Sequence, residues 1–360
     1  MYCVLVNRKN VISCIDKIPL FLKFYNFHIK IRFIHKACPP WKVAFYGSDS
    51  FSLETLKVLN GNRLGANKPH VVESLDVICP LGKNIINKYA TEAKLNIKYW
   101  PYVLPEGVYH VGVVVSFGHL IQTKSINACT YGIINAHPSL LPRWRGAAPI
   151  VHTILNGDEM TGITILQVSP NKFDRGKILL QEIFPVVPNS TSSSLHSELS
   201  RKAAEMVIQA LCDLPDLLRD SKPQQENGNT HAFKIHDSMG NLNWDQMTCQ
   251  DISRHYHALS DFIALVSKWK GNTIKFKEFV DVNLEQSIHQ NVSPGFCYFD
   301  KNLKVLAIKC KDGWVGFKSI QLFGKKTMSA SDFHNGFLSK IEEKYCKLVI
   351  SIYYVINLSL

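Results

Sequence analysis

The stretch Ile-Ile-Asn-Ala-His-Pro-Ser-Leu-Leu-Pro-Arg-Trp-Arg-Gly-Ala-Ala-Pro-Ile, residues 133–150, decides how this chain is interpreted. It begins apolar, as a buried strand does, and becomes polar at Asn135 and His137. Because side chains alternate faces along a strand, these two point the same way, with Ala136 between them. Pro138 then ends regular pairing. An amide donor and an imidazole that leave a strand together are suited to polarising a carbonyl and moving a proton.

The segments around this stretch alternate between strand and helix patterns. Residues 108–117 form a nearly continuous apolar run, which is typical of a strand buried on both faces of a parallel sheet. Residues 51–59, 190–218 and 244–259 have the apolar spacing of helices, and Pro215 is expected to break the second of these near its end. Alternation of this kind predicts an open, mostly parallel α/β sheet. Ligands bind such sheets at the carboxyl ends of the strands, so Phe117 and Asn135 are expected to face one cleft.

The same stretch closely resembles the signature of the formyltransferases that use 10-formyltetrahydrofolate. Its continuation Arg-Trp-Arg-Gly-Ala-Ala-Pro, residues 143–149, is similar to the methionyl-tRNA formyltransferase branch of that family. Gly-Lys-Lys-Thr-Met-Ser-Ala at 324–330 resembles the end of those enzymes, and Phe-Tyr-Gly-Ser-Asp-Ser-Phe at 45–51 resembles their beginning. The resemblance covers about residues 41–337. It implies an open, mostly parallel Rossmann-like sheet, the formyltransferase fold, followed by a small OB-like β-barrel domain.

The resemblance also implies the reaction and its residues. A formyl group would move from 10-formyltetrahydrofolate to the α-amine of initiator methionyl-tRNA, with no metal. Asn135 would donate its amide N–H to the formyl oxygen, and His137 would serve that oxygen or carry the proton. Asp174 would orient His137 and favour its charged form. The residues expected to bind the folate are Phe117, Gly118, Leu120, Ser139, Leu140, Leu141 and Pro142.

Four basic residues are expected to contact RNA: Arg143, Arg145, Lys325 and Lys326. For the two arginines the alternative is that they fix the loop that carries them. For the two lysines the alternative is a solvated basic turn. Residues 231–338 contain 13 Lys or Arg and 10 acidic residues, which is a modest excess for an RNA-binding face.

Composition divides the chain into five parts. We expect a targeting extension over 1–40, a formyltransferase catalytic domain over 41–220 and a linker over 221–230. A tRNA-binding β-barrel over 231–338 and an atypical tail over 339–360 would follow. The net charge of +12 favours an anionic partner, although residues 1–42 hold eight Lys or Arg and one acid, which leaves +5 for the remainder.

The extension indicates a mitochondrial matrix protein, since it is basic and poor in acid. It lacks the usual Arg and Ser richness, and a structural first strand or a mis-assigned start are the alternatives. The ten cysteines include no Cys-x-x-Cys and favour a reducing compartment. No apolar run reaches the roughly 20 residues that span a bilayer. We therefore expect no membrane segment. We also expect a monomer.

Three other functions share some of these features. A glycinamide ribonucleotide formyltransferase or a 10-formyltetrahydrofolate hydrolase would carry the Asn, His and Asp but lack the motifs at 143–149 and 324–330. A catalytically inactive tRNA- or folate-binding module is disfavoured by the complete triad.

The chain departs from bacterial members after Cys79-Pro80. Bacterial members carry a longer basic loop there, whereas this chain has a short one, as mitochondrial members do. This departure puts the tRNA role of that loop in doubt.

Overall fold

Two sheets, formed one after the other along the chain, organise the structure. The computed structural model describes residues 38–66, 68–284 and 292–347. The first sheet contains β1 (Trp41–Gly47), β2 (Val72–Pro80), β3 (Asn96–Trp100), β4 (Val111–Val115), β5 (Ile133–His137), β7 (Met160–Gln167) and β8 (Ile178–Pro185), and β6 (Arg145–Gly146) and β9 (His231–Ala232) form a separate pair. The helices of this half are α1 (Ser50–Arg63), α2 (Ile85–Glu92), α3 (Thr123–Ala128), α4 (Pro149–Leu155), α5 (Ser192–Cys212) and α6 (Leu214–Asp220).

The first sheet has the strand order β3-β2-β1-β4-β5-β7-β8. Strands β1 to β5 run parallel, whereas β7 and β8 are antiparallel to their neighbours. The predicted mostly parallel α/β sheet is thereby confirmed. Strand β5 lies between parallel β4 and antiparallel β7, so the sheet changes direction beside Asn135 and His137.

The first helix shows how local sequence sets these elements. Asp49 caps α1, since its side chain accepts from the backbone N–H of Ser52, and the Ser52 hydroxyl completes a capping box. Such caps satisfy backbone donors that the first helical turn leaves free. Helix α1 then packs against α5 and continues to Arg63, four residues beyond the predicted end at 59.

Two predicted helices differ from the structure. The helical stretch expected over 190–218 is two helices, because Pro215 lies in the first turn of α6, where its missing N–H costs no hydrogen bond. The helix expected over 244–259 is α7 (Cys249–Leu259), which Thr248 caps. Trp244 lies outside it and is buried, with Nε1 donating to the Ser267 hydroxyl at 3.0 Å.

The second domain is an antiparallel sheet that closes on itself. Its strands are β10 (Leu265–Trp269), β11 (Asn272–Asp281), β12 (Cys297–Asp300), β13 (Val305–Lys309), β14 (Trp314–Leu322), β15 (Met328–Ser329) and β16 (Cys346–Lys347), and α8 (Ala330–Gly336) follows β15. The strand order is β12-β13-β14-β11-β10-β16. A bridge between Phe296 and Tyr345 joins the two ends, and the Cys346 N–H donates to the Gly295 carbonyl at 2.8 Å.

Strand β16 changes the expected limit of the second domain. The tail was predicted to begin at residue 339, yet Cys346 pairs with Trp269 and is buried. The closed sheet therefore includes residues up to Lys347, because without this strand β10 would be left with an unpaired edge. The rest of the tail, from residue 348, and residues 1–37 of the expected extension lie outside the described residues.

The two halves share one continuous apolar core. Helix α4 packs against α7, and the Ser192 hydroxyl donates to the Ala258 carbonyl at 2.7 Å across the junction. Among the described residues, no helix is long and apolar enough to cross a bilayer. The connection between the halves, residues 221–230, pairs with Ile178 of β8 at Lys222 and bonds to Arg145 at Thr230.

Candidate active site

Strand β5 delivers Asn135 and His137 to the carboxyl edge of the first sheet. Asn135 lies beside Leu166 of β7, and His137 lies beside Thr164. Asn135 is half-buried and His137 is buried, so both sit at the border between core and solvent. The strand itself is held in place because its other residues belong to the core.

Asp174 meets both residues from the loop between β7 and β8. Its Oδ1 lies 3.6 Å from His137 Nδ1 and accepts from Asn135 Nδ2 at 3.3 Å. Its Oδ2 accepts the backbone N–H of Gly146 at 3.1 Å. His137 Nε2 donates to the Trp144 carbonyl at 2.9 Å. Both nitrogens of the imidazole therefore face oxygen atoms, and the carboxylate lies between the amide and the ring.

The loop after β5 is fixed by Asp158. Its carboxylate accepts from Arg143 Nε at 2.8 Å and from Trp144 Nε1 at 2.7 Å. The Arg143 guanidinium also lies over the Trp144 ring, 4.4 Å from the centroid. Hydrogen bonding to Asp158 raises the pKa of Arg143. This geometry favours the loop-fixing alternative for Arg143, although the side chain remains 41% exposed.

Arg145 points inward rather than toward solvent. Its side chain is 2% exposed, and its Nε and Nη2 donate to Gln224 Oε1 at 2.9 and 2.7 Å. Its Nη1 lies 3.5 Å from a carboxylate oxygen of Glu226. A guanidinium this buried has no surface to offer to RNA. The structure therefore favours loop fixing for Arg145 over the RNA contact.

The residues between His137 and Arg143 were expected to bind the folate. Ser139 is buried, and its hydroxyl donates to the Arg143 carbonyl at 2.7 Å. Leu141 is also buried, and its N–H donates to the Thr164 hydroxyl at 3.2 Å. Leu140 and Pro142 are half-buried. The loop thus has one well-bonded conformation beside the three polar residues.

The remaining predicted folate residues lie at the end of β4. Phe117 is buried against Trp100 and His119, with ring centroids 5.3 and 5.1 Å away. Gly118 is exposed, and a Cβ atom built there would have no atom within 4 Å. Leu120 is 39% exposed. These residues form an apolar and aromatic edge that is open to solvent next to the β5 loop, which suits a flat heteroaromatic ligand.

Lys325 and Lys326 lie in the turn between β14 and β15 of the second domain. Both are exposed, and Lys325 Nζ lies 5.7 Å from the centroid of the Phe337 ring. Neighbouring Phe323 is 79% exposed. An exposed turn that combines lysines with an aromatic ring suits contact with a nucleic-acid backbone and its bases.

Potential metal ligands cluster elsewhere. Within the described residues, Cys249, Cys310 and Asp312 bring three ligand atoms within 4.8 Å of one another. The two sulfur atoms lie 3.2 Å apart, and all three residues belong to the second domain. They are not part of the Asn135, His137 and Asp174 site.

Sequence reasoning missed four groups that hold this site: Asp158, Gln224, Thr230 and the Trp144 carbonyl. The Thr230 hydroxyl accepts the Trp144 N–H at 2.9 Å, and the Gln224 amide donates to the Asp174 carbonyl at 2.8 Å. Gln224 and Thr230 act on loops that are 50 and 86 residues away along the chain. Asp158 and the Trp144 carbonyl act over 15 and 7 residues, through bonds that no sequence pattern predicts. Their roles follow only from the fold.

Similarity to known proteins identifies the family. A formyl transferase family model matches residues 104–211, and a formyl transferase C-terminal domain model matches residues 234–338. The mitochondrial methionyl-tRNA formyltransferase of Bos taurus is 43% identical over 309 residues, covering 83% of this chain and 78% of the relative. That of Mus musculus is 41% identical over 310 residues, covering 83% and 79%.

A solved structure shares the fold at much lower identity. WlaRD, a sugar 3N-formyl transferase crystallised in the presence of dTDP and 5-N-formyl-THF, has a TM-score of 0.56 at 16% identity. The match covers 80% of this chain and 100% of the WlaRD chain. The resemblance found in the motifs at 143–149 and 324–330 is thus confirmed over most of the chain, which belongs to the formyltransferase family and, within it, to the methionyl-tRNA formyltransferases.

Proposed function

We propose that Asn135, His137 and Asp174 carry out the transfer of a formyl group from 10-formyltetrahydrofolate to the α-amine of methionine on initiator tRNA. The observation that carries this assignment is the meeting of the three side chains at the edge of the sheet. Asp174 Oδ1 lies 3.6 Å from His137 Nδ1 and 3.3 Å from Asn135 Nδ2. A donor, an imidazole and a carboxylate at these distances can serve a carbonyl that gains negative charge.

Asn135 and His137 have distinct roles in this mechanism. The folate substrate supplies a formyl carbon bonded to N10. The neutral methionine amine forms a new C–N bond to that carbon, and the C–N10 bond breaks. Asn135 Nδ2 donates an N–H to the formyl oxygen as negative charge develops there. Because His137 Nε2 donates its N–H to the Trp144 carbonyl, the lone pair of the neutral ring is on Nδ1. Nδ1 takes the proton that the amine loses and passes it to N10, which leaves with the bonding electron pair.

Asp174 acts on His137 rather than on the substrate. Its carboxylate stabilises the imidazolium and holds the ring orientation from the Nδ1 side, while the Trp144 carbonyl holds Nε2. A buried carboxylate can do this because it is itself anchored by the Gly146 N–H. Asp174 is 10% exposed, so little water competes for its oxygens.

The apolar edge formed by Phe117, Gly118 and Leu120 receives the folate ring in this proposal. Its fit rests on the open space at Gly118 and the exposed part of Leu120, which leave room for a planar ring. Residues 139–142 form the other side of the site. Arg143 and Arg145 hold that loop in place. Lys325 and Lys326 contact the tRNA backbone.

The two mammalian relatives are named as mitochondrial enzymes. We place this chain in the mitochondrial matrix, since the basic residues in the first 42 positions suit import. The chain acts as a monomer without a membrane partner in this proposal. Gel filtration with light scattering tests that state, and a dimer would contradict it.

One assay tests the function. The purified full chain is given 10-formyltetrahydrofolate together with either charged initiator tRNA or glycinamide ribonucleotide, and both formylated products and free formate are measured. Formylmethionyl-tRNA is the expected product. Formylated glycinamide ribonucleotide or formate alone would instead support the transferase or hydrolase alternatives, and no turnover with any acceptor would indicate an inactive binding module.

A further inference from the structure

The segment 221–230, which the sequence marks only as a polar linker, is bonded to both loops of the active site. The Lys222 N–H and carbonyl pair with Ile178 at the end of the Asp174 loop. The Thr230 carbonyl accepts the Arg145 N–H at 3.0 Å. The linker therefore joins the loop after β5 to the loop after β7, and one side chain between these points bonds to both.

That side chain is Gln224. Its Nε2 donates to the carbonyl of Asp174 at 2.8 Å and to the carbonyl of Gly176 at 2.9 Å. Its Oε1 accepts two hydrogen bonds from the Arg145 guanidinium. A guanidinium only donates and a carbonyl only accepts, so the orientation of the amide is fixed by its partners. Both hydrogens of the Gln224 amide and its carbonyl oxygen are therefore bonded to the two active-site loops.

The Asp174 loop needs such a support. Asp174 has a φ of 51°, a left-handed conformation that costs free energy for a residue with a side chain. Two residues later, a Cβ on Gly176 would lie 1.5 Å from the Gln167 carbonyl oxygen. The loop is thus held tightly against β7 in a strained shape. The two hydrogen bonds from Gln224 act on the carbonyls of these two residues.

Arg145 makes this support rigid. Because its side chain is 2% exposed, its hydrogen bonds to Gln224 compete with little water. Hydrogen bonds from a charged donor are also stronger than neutral ones. The amide of Gln224 therefore has one orientation before any substrate binds.

We propose that Gln224 is a positioning residue for formyl transfer, acting through Asp174. It holds the Asp174 backbone so that the carboxylate stays within reach of His137 Nδ1. This inference rests on the proposed function, because it needs Asp174 to act in the reaction. It also gives the linker a second role, since the segment that connects the two domains supports the loop that carries Asp174.

The first test compares Gln224→Ala with Gln225→Ala in the full chain. Gln225 is the next residue, has the same side chain and is exposed. The expected result for Gln224→Ala is a kcat lower by about 10- to 100-fold, because small displacements of a catalytic group have effects of this size. The KM values for the tRNA and for the formyl donor should stay within about twofold. Gln225→Ala should match the unmodified chain.

A second variant separates the two halves of the Gln224 amide. Gln224→Glu keeps an oxygen for Arg145 but places a carboxylate oxygen against the carbonyls of Asp174 and Gly176. If the bonds to those carbonyls matter, this variant loses activity as Gln224→Ala does, while its ion pair with Arg145 maintains the melting temperature. Activity near that of the unmodified chain would overturn the proposal.

A double substitution tests whether Gln224 acts through Asp174. Adding Gln224→Ala to Asp174→Ala should cause no further loss of kcat, since the carboxylate that it positions is gone. An equal, multiplicative loss in both backgrounds would mean that Gln224 acts elsewhere and would overturn the proposal. If Asp174→Ala alone keeps full activity, the proposed function of Asp174 fails first, which distinguishes the two failures.

Discussion

His137 Nδ1 and Asp174 Oδ1 lie 3.6 Å apart, although the two residues follow different strands of the first sheet. The histidine ends parallel strand β5, and the aspartate lies in the loop after antiparallel β7. Because β7 is antiparallel to β5, its last residue, Gln167, lies beside Ile134 at the far end of β5 from His137, and the loop after β7 returns along the sheet to bring Asp174 to the histidine. The Asn135 amide joins them, at 3.3 Å from the same carboxylate oxygen.

Removal of any member of this site should slow formyl transfer. Asn135→Ala and His137→Ala are each expected to lower kcat by about 100- to 1,000-fold, as the loss of a donor to a developing oxyanion does. Single-turnover formylation of charged initiator tRNA measures the effect. His70→Ala is the matched control, because His70 is exposed and lies before strand β2. Near-native turnover in both Asn135→Ala and His137→Ala would contradict the assignment.

Arg145 and Arg143 should behave as supports of the loop rather than as phosphate ligands. Arg145→Ala is expected to lower kcat, and the loss should be the same at low and high salt, because a buried hydrogen-bonded guanidinium is little screened. Arg175→Ala is the control, since Arg175 is 41% exposed and faces the same Glu226 at 3.7 Å. A loss for Arg145→Ala that appears only in tRNA affinity and disappears with added salt would restore the RNA-contact interpretation.

Lys325 and Lys326 should show the opposite salt behaviour. Each contact with a phosphate releases bound counterions, so Lys325→Ala and Lys326→Ala should each reduce the slope of log affinity against log salt by about 1 or less. Filter binding of tRNA over a salt series measures the slope, with Lys304→Ala as an exposed control in the same domain. Unchanged slopes in both variants would indicate a solvated turn.

Gly176 should not tolerate a side chain. A Cβ there would lie 1.5 Å from the backbone oxygen of Gln167, so the loop that carries Asp174 would have to move. Gly176→Ala is expected to lower kcat by at least about 100-fold, because displacement of a catalytic group has an effect of that order. Gly61→Ala in helix α1 is the control and should raise stability by roughly 0.5–1 kcal/mol. Full activity of Gly176→Ala would contradict the observed loop packing.

Stability should fall on mild acidification. Burial lowers the pKa of His255, and of His152 as well. The unfolded chain then binds these protons more readily than the folded chain, so stability is complete above the unfolded pKa of about 6.5 and decreases as the pH falls below it. The melting temperature is measured at about pH 7.5 and 5.5. The melting temperature of His255→Gln should change less between these two pH values than that of the control His231→Gln. An equal change in both variants would contradict the role of His255 in the loss of stability.

Most of the architecture could be predicted from local patterns. The apolar run around Val111–Val115 and the polar end of β5 gave the parallel sheet, because burial on both faces demands such strands. The predicted ends of the helices agreed less well with the structure. Trp244 looked helical but belongs to the core of the second domain, and Pro215 starts a helix rather than ending one. These outcomes depend on tertiary packing, which local spacing does not contain.

By itself, the amino-acid sequence determined the residue types of the site and the family motifs that contain Asn135, His137 and Asp174. Only the tertiary structure decided which distant groups hold them. The inward turn of Arg145, the seating of Gln224 on the Asp174 loop and the closure of the second sheet by Cys346 all join segments far apart in the chain. Such contacts depend on how strands and loops meet in space, and hydrogen bonds of this kind leave no periodic pattern along the chain.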